Sequence, residues 1–245
     1  MSKRNNRNNR IAATAIATAV SIALLGGSGQ AFAAGQGDAG ATKAPAKLTV
    51  AAYKSWLQKA PGAADTRKAF GKLPAAKQKA FVGYLQNAKV YKAFSVTQHG
   101  DTPSLAKQKT VRYNKDVVFT GRTVAASRPG KTTKSITLTV TTTERIFNIP
   151  VTSMTTELTY QTTKQGDVTG KGTKASHRGT NFNAAFAIKP SASRIYPEVN
   201  MMDGYTIWTA TPKFKSAGTK SLKKDQVVTG NSDHSWDSTL TNLES

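Results

Sequence analysis

The stretch KSITLTVTTTERIFNIPVTSMTTELTYQTT, residues 134–163, decides the fold class of this chain. On both sides of the turn-forming segment Asn148–Pro150, apolar side chains alternate with Ser and Thr. Alternation with a period of two, rich in β-branched residues, is typical of half-buried antiparallel strands. The stretch therefore predicts two long strands joined by a short turn.

The same period continues through most of residues 95–245. Apolar residues of one parity recur in several runs: Val111, Tyr113, Val117 and Phe119; Ile136, Leu138 and Val140; Met154, Leu158 and Tyr160; Phe182, Ala184, Phe186 and Ile188; and Tyr205 and Ile207. Turn-forming clusters separate them: Arg128–Gly130, Asn148–Pro150, Gln165–Asp167, Lys189–Ser191 and Met202–Gly204. About six to eight antiparallel strands in this region predict a Thr-rich β-sandwich or an open barrel.

Residues 48–94 follow a helical period instead. Four helices are predicted, at Val50–Ala60, Asp65–Leu73, Ala75–Gln86 and Ala88–Phe94. Thr49 and Asn87 are suited to cap the first and the last, and Pro74 to open the third. A core of fewer than about 50 residues is marginal, so this helical module is expected to pack on the β-rich body or on a partner. The predicted fold class is α+β, a short N-terminal helical module followed by a mainly antiparallel β-sandwich or open barrel.

The first 33 residues have the three parts of a secretory signal peptide. Residues 1–10 carry four basic and no acidic residues, Ile11–Leu25 is apolar and small, and Ala31–Ala33 is an A-x-A cleavage motif. We expect cleavage after Ala33 and a secreted, extracellular protein. The apolar run is shorter than the roughly 20 residues of a membrane span, so no transmembrane segment is predicted.

The polar start and the alanine-rich run resemble those of secreted Gram-positive proteins, actinobacterial ones especially. Residues 34–47, AGQGDAGATKAPAK, are small, polar and aperiodic. Such a composition cannot bury enough apolar surface to order the chain, so these residues are predicted to form a disordered linker.

Composition narrows both the chemistry and the partners. The chain has no Cys, which excludes disulfides, thiolate metal sites, thiol catalysis and iron–sulfur clusters. It carries 35 Lys and Arg against 13 Asp and Glu, a net charge of +22. For an exported protein this charge indicates an anionic wall polymer, an anionic lipid surface or an acidic protein as partner rather than nucleic acid. The candidate partner-binding residues are cations of the second and third helices: Arg67, Lys68, Lys72, Lys77 and Lys79.

No constellation for catalysis stands out. The chain has no G-x-S-x-G motif, and its histidines, His99, His177 and His234, lie in polar contexts without H-x₃₋₅-H spacing. The remaining enzymatic alternative is a pair of glycosidase carboxylates that meet in space, drawn from Glu144, Glu157, Glu198 and Asp203. We therefore predict no catalytic residue, no metal site and no cofactor, in a protein that is not an enzyme.

The C-terminal segment has the most suggestive local pattern. Positions 1, 3, 5, 7 and 12 of a calcium loop are matched by oxygen-bearing residues: Asp233, Ser235, Asp237, Thr239 and Glu244. Ser238 stands where such a loop needs glycine, and no helical pattern precedes it. We favour the alternative, a last edge strand with Trp236, Ser238 and Leu240 on one face.

The leading functional prediction is a secreted, non-enzymatic interaction protein that binds a partner protein or an anionic cell-envelope polymer. It would act alone or as a subunit of an extracellular assembly, and its layout resembles accessory subunits of secreted actinobacterial assemblies in architecture alone. Two alternatives stay open. A lectin-like protein would stack sugars on exposed rings, with Tyr205, Trp208 and Trp236 as candidates. A β-pore-forming or antibacterial toxin component would use residues 134–163, whose two faces would meet lipid and water.

Overall fold

The structure is a computed structural model that describes residues 44–101 and 106–243. The predicted signal peptide and most of the predicted linker lie outside these residues. The end of the linker is held in place, because the carbonyl groups of Pro45 and Ala46 accept hydrogen bonds from the N–H groups of Lys215 and Ser216, at 3.0 and 3.1 Å.

Four short helices come first in the described chain. They are α1 Val50–Lys59, α2 Ala64–Gly71, α3 Ala75–Leu85 and α4 Ala88–Ala93, each within two residues of its predicted ends. The predicted caps are confirmed at both positions. The Thr49 hydroxyl accepts from the Ala52 N–H at 3.1 Å, and the Asn87 side-chain oxygen accepts from the Lys89 N–H at 3.0 Å.

The strands form two antiparallel sheets. Their bounds are β1 Val96–Asp101, β2 Lys107–Arg112, β3 Val117–Pro129, β4 Thr133–Ile146, β5 Ile149–Thr163, β6 Val168–Asn181, β7 Phe186–Pro190, β8 Arg194–Glu198, β9 Met201–Pro212, β10 Leu222–Asn231 and β11 Ser235–Asn242. One sheet has the order β2-β3-β4-β5-β6, and the other has β1-β11-β10-β9-β7 with β8 also paired to β9. The predicted α+β class with an antiparallel sandwich is confirmed.

The stretch that decides the fold forms the hairpin β4–β5. Its turn is the pair Phe147 and Asn148, both with positive φ (49° and 64°), as the two-residue turns that match strand twist require. On the outer face, hydroxyl groups of opposed residues hydrogen-bond across the hairpin: Thr137 with Thr159 at 3.0 Å, Thr141 with Thr155 at 2.9 Å and Thr143 with Ser153 at 3.0 Å. The inner face carries the predicted apolar residues, which are buried.

Two apolar clusters fill the interior. The far-end cluster comes from strands only and comprises Ala125, Ile136, Leu138, Val140, Leu158, Tyr160, Met202, Val228 and Trp236. The helix-end cluster joins buried residues of all four helices to residues of both sheets, among them Leu57, Phe70, Phe81, Tyr91, Phe119 and Trp208. The helical module therefore packs on the sandwich and shares its core.

A polar belt separates the two clusters. Along each of six strands, one buried polar residue lies between the two sets of apolar residues: Thr123, Thr142, Thr156, Thr206, Gln226 and Ser238. Gln226 is the hub, because its Oε1 accepts from the Thr156 hydroxyl at 3.0 Å and from the Trp208 indole N–H at 3.1 Å. Its amide N–H groups donate to the Thr142 hydroxyl and to two backbone carbonyls. The belt satisfies its polar groups internally, as burial demands.

Candidate functional site

The helical module presents a basic surface. Residues 44–94 contain ten Lys and Arg and a single acidic residue, Asp65, and the side chains of all ten cations are exposed. Lys59, Lys68 and Lys92 lie in the last turns of α1, α2 and α4, where the carbonyl end of a helix favours a cation. The rest have no partner of this kind within the module, so its positive potential faces solvent.

The five predicted partner-binding residues are all exposed but do not form one compact patch. Lys68 and Lys72 lie one helical turn apart at the end of α2, and Arg67 precedes them. Lys77 lies with its Nζ 5.5 Å from the centre of the Phe147 ring, at the turn of the β4–β5 hairpin. Lys79 projects about 200° around the helix axis from Lys77, because successive residues turn by about 100°. Arg67, Lys68 and Lys72 therefore lie at the end of one helix, whereas Lys77 and Lys79 point in nearly opposite directions from the next.

Charge neutralisation within the chain is slight. The described residues contain one ion pair, Arg178 with Glu157 at 3.9 Å, and its side chains are 66 % and 36 % exposed. Such an exposed pair contributes little to stability. None of the module's cations takes part in it, so they remain available to an external anion.

The aromatic residues assigned to sugar binding do not form an exposed platform. Trp208 is 0 % exposed and Trp236 is 2 % exposed, because both face the interior of the sandwich. Tyr205 lies on the outer face of β9, edge-on to the 46 % exposed Tyr196 with ring centres 6.0 Å apart. The alternation in this strand was right, but the inward face is that of Trp208 rather than that of Tyr205 and Ile207. Tyr196 was missed because its strand is only five residues long.

The three histidines lie on separate elements. His99 is on β1 and His234 is in the turn before β11. His177 on β6 contacts Ser193, with Nδ1 2.9 Å from Oγ, and burial lowers the pKa of this imidazole. In the described part of the chain no carboxylate completes a triad on His177. The Ser193 hydroxyl instead continues to Thr206 of the polar belt at 2.9 Å, as a structural hydrogen bond.

The C-terminal segment is a strand, as favoured, but not an edge strand. β11 lies between β1 and β10, because β1 pairs with it as the last strand of its sheet. Trp236, Ser238 and Leu240 face the core, as predicted. Extended backbone cannot wrap an ion, and within residues 44–101 and 106–243 no three His, Asp or Glu side chains come together as a metal site. The last calcium-loop position, Glu244, lies outside the described residues.

Sequence reasoning missed a buried lysine at the junction of the module and the sandwich. Lys224 on β10 has no exposed surface. Its Nζ donates to the Asn242 side-chain oxygen at 2.8 Å and to the Lys92 carbonyl at 3.4 Å, and it lies 5.2 Å from the centre of the Tyr91 ring. Lys92 belongs to the last turn of α4, so this lysine connects α4 to the ends of β10 and β11.

A buried acid accompanies this lysine. Glu144 on β4 is 1 % exposed, and within the described residues its Oε2 has no hydrogen-bond partner, nor do the hydroxyls of Tyr91 and Thr152. Burial raises the pKa of Glu144 to about 7, opposed by the neighbouring Thr152 side chain and then by the charge of Lys224. Burial likewise lowers the pKa of Lys224 to about 7, opposed by the charge of Glu144. The two groups therefore titrate in the same range beneath the helices.

A signal for both residues is present in the sequence. Glu144 continues the even-numbered, inward parity of Ile136, Leu138 and Val140, and Lys224 continues that of Val228. A charged residue at an inward position is rarely tolerated without a role. What the sequence lacks is any sign that strands 80 residues apart bring the two together.

Comparison with known proteins gives no information on the function of this chain. No family model, no curated protein and no solved structure matches this chain. Among the residues that the structure describes, no helix has the length and apolar character needed to cross a bilayer. The candidate functional features of the described residues are thus the basic helical surface and the buried pair Glu144 and Lys224, with the exposed Asn242 beside Lys224.

Proposed function

We propose that this protein is a secreted, non-enzymatic binding protein that attaches to an anionic cell-envelope polymer through its helical module. One observation supports this above all: ten exposed Lys and Arg against one acidic residue in residues 44–94, none of them in an ion pair within the described chain. A rigid scaffold that carries so many unneutralised cations concentrates anions at its surface.

A polymer fits this surface better than a protein partner does. Nine of the ten cations are Lys, a residue that protein interfaces tend to lack, and one is Arg. The large apolar side chains that are exposed in the described residues are Tyr113, Tyr196 and Val199, none of which belongs to the module. A protein interface needs such anchors at its centre. Point charges on flexible stems suit a chain of repeated phosphate or carboxylate groups.

The helices are fixed in place for such a role. Tyr53 on α1 donates its hydroxyl to the Phe182 carbonyl at 2.9 Å, and the Asn183 side chain donates to the Leu85 carbonyl at the end of α3 at 3.0 Å. The cations therefore project from a frame that is continuous with the sandwich. The secreted location rests on the sequence of residues 1–33.

The test is binding of the purified protein to teichoic acid, a phosphate-rich wall polymer, at rising salt. Binding should weaken at least about tenfold between 0.1 M and 1 M salt, as the screening length falls from about 10 to about 3 Å. Reversal of Lys68, Lys72, Lys77 and Lys79 to Glu should remove it. The matched control reverses four exposed lysines of the sandwich, Lys164, Lys171, Lys174 and Lys189, for the same change in net charge.

The outcomes separate the possibilities. Loss in the module variant with near-normal binding in the control supports the proposal. Equal loss in both variants would show attraction by net charge without a defined surface. Binding that resists 1 M salt would point to the partner-protein interpretation instead.

A further inference from the structure

The ends of β10 and β11 bring an amine and a carboxamide into contact. Lys224 and Asn242 stand opposite one another in the register of these two strands. The Lys224 Nζ lies 2.8 Å from the Asn242 Oδ1, and the Asn242 Nδ2 donates to the Lys92 carbonyl at 2.9 Å. The carboxamide is thus held from both sides. Because a C=O bond is about 1.2 Å long, the Nζ lies at most about 4 Å from the Asn242 Cγ, so a small shift reaches the approach distance of about 3–3.5 Å from which bonds form.

The surroundings of Lys224 favour an uncharged, nucleophilic amine. Its side chain is wholly buried, against the rings of Tyr91 and Phe94 at 5.2 and 5.9 Å. No carboxylate lies within ion-pair distance of its Nζ in the described residues. The two rings and the oxygen acceptors of its Nζ favour the charged amine, but burial outweighs them and lowers the pKa of Lys224 to about 7, which makes the neutral amine more accessible than in a solvent-exposed lysine. Desolvation of this kind is a known way of activating lysine.

Glu144 can relay the proton, because its protonated form can donate to the departing nitrogen and the carboxylate left behind can then accept the proton displaced from Nζ. Its buried carboxyl is close enough to Lys224 that each charge affects the other's pKa, and its Oε2 is without a hydrogen-bond partner among the described side chains. Since burial raises the pKa of Glu144 to about 7, the carboxyl can hold a proton while the amine is free. Both conditions are needed for attack on an amide: a neutral amine, and an acid able to protonate the departing nitrogen.

We propose that Lys224 and Asn242 join in an intramolecular isopeptide bond. The Lys224 Nζ attacks the Asn242 Cγ, a new C–N bond forms, and the bond from Cγ to Nδ2 breaks. One proton passes from Nζ to the departing nitrogen, which leaves as ammonia, and no oxidant or reductant is required. The product is an amide that links the two strands covalently.

Such a link suits a chain that has no cysteine. Small extracellular domains often depend on covalent bridges, and this chain cannot form disulfides. The bond would close residues 224–242 into a loop and fix the end of β11, the strand on which β1 pairs. It is independent of the proposed polymer binding.

Trypsin digestion with mass spectrometry of the full, natively folded chain tests the bond directly. Residues 225–245 contain no Lys or Arg, so a free Lys224 releases the peptide of residues 225–245. An acylated Lys224 cannot be cleaved and gives residues 224–245 instead, lighter by about 17 Da, the mass of ammonia. We expect the linked peptide to predominate. Recovery of residues 225–245 at full mass from the folded protein would overturn the proposal and leave a hydrogen bond only.

Three variants serve as controls for this result. Lys224→Arg keeps the cation but cannot form the amide, and Asn242→Ala removes the acceptor, so both should restore the full intact mass. A succinimide at Asn242 would also lose ammonia, but it would leave cleavage after Lys224 intact and would therefore count against the bond. Glu144→Gln should lower the linked fraction at neutral pH, and an unchanged fraction would exclude Glu144 from the reaction.

Discussion

The two ends of the sandwich interior bury different kinds of side chain. The far-end cluster is made by strands alone, and the inward positions of β4 and β10 there carry Ile136, Leu138, Val140 and Val228. The helix-end cluster is made by strands and helices together, and Glu144 and Lys224 are buried beside it. The polar belt divides the two. One end of the interior is therefore apolar, and the other contains the ionisable side chains of Glu144 and Lys224.

This difference shows what the helices contribute. At the far end, strands from both sheets cover one another. At the other end, Phe70, Phe81 and Tyr91 of the helices complete the apolar layer, and α4 supplies the Lys92 carbonyl that receives Lys224. The helical module is therefore a part of the core and not an attachment to it.

The largest expected loss of stability comes from removing a large side chain from the helix-end cluster. Phe81 is fully buried, with its ring centre 5.1 Å from that of Phe70. Phe81→Ala should lower the free energy of unfolding by about 3–5 kcal/mol, through lost burial and the cavity left behind. Helix and tryptophan signals, followed by circular dichroism and fluorescence in denaturant, should disappear in one transition. Leu138→Ala is the far-end counterpart, with an expected loss of about 2–5 kcal/mol. Separate melting of the helices over an intact sandwich would contradict a shared core.

A smaller loss of stability comes from adding a methyl group beside the far-end cluster. A Cβ at Gly230 would overlap the ring of Tyr160, which packs directly on this glycine. Gly230→Ala should therefore destabilise the protein by about 1–3 kcal/mol, since the ring must move within a packed core. Gly170→Ala is the control, because a Cβ there meets no atom within 4 Å. Denaturant midpoints measure both, and equal values for the two variants would refute the close contact.

The last prediction concerns the pH response of the helix end, which develops gradually between about pH 4.5 and 7. Burial raises the pKa of Glu144 from 4.5 to about 7, so the folded chain retains a proton that the unfolded chain has lost. Its contribution to stability is complete below pH 4.5 and declines as the pH rises to about 7, by at most about 1.4 kcal/mol per pH unit. Urea unfolding across this range should show the decline in the native protein and a flatter profile in Glu144→Gln. Identical profiles would place the titration elsewhere.

Most of the fold could be predicted from local patterns in the sequence. The caps at Thr49 and Asn87, the period of residues 134–163 and the inward parity of Ile136 and Leu138 each depend on neighbours in sequence, and each was predicted correctly. The sandwich class follows from the repeated alternation, although the described residues form eleven strands where about six to eight were predicted.

The remainder depends on distant contacts. The inward direction of Trp208, the interior position of β11 and the meeting of Glu144 with Lys224 are set by which strands pair and which sheet faces which. Parity distinguishes two faces but does not say which is buried when both carry apolar residues, as in Tyr205 to Trp208. The predicted sugar platform failed for this reason.

The pairing of β1 with β11 has a consequence for how the chain folds. Val96 stands opposite Leu240, so the first strand of the described residues has the last one as its neighbour. Loop closure over such a separation is slow, and folds dominated by distant pairings have high contact order. The hairpin β4–β5 can form early from local contacts, whereas the sheet that contains β1 waits for the final strand. A chain shortened by its last dozen residues would keep most of its local structure and yet leave an edge of β1 and β10 open to other chains.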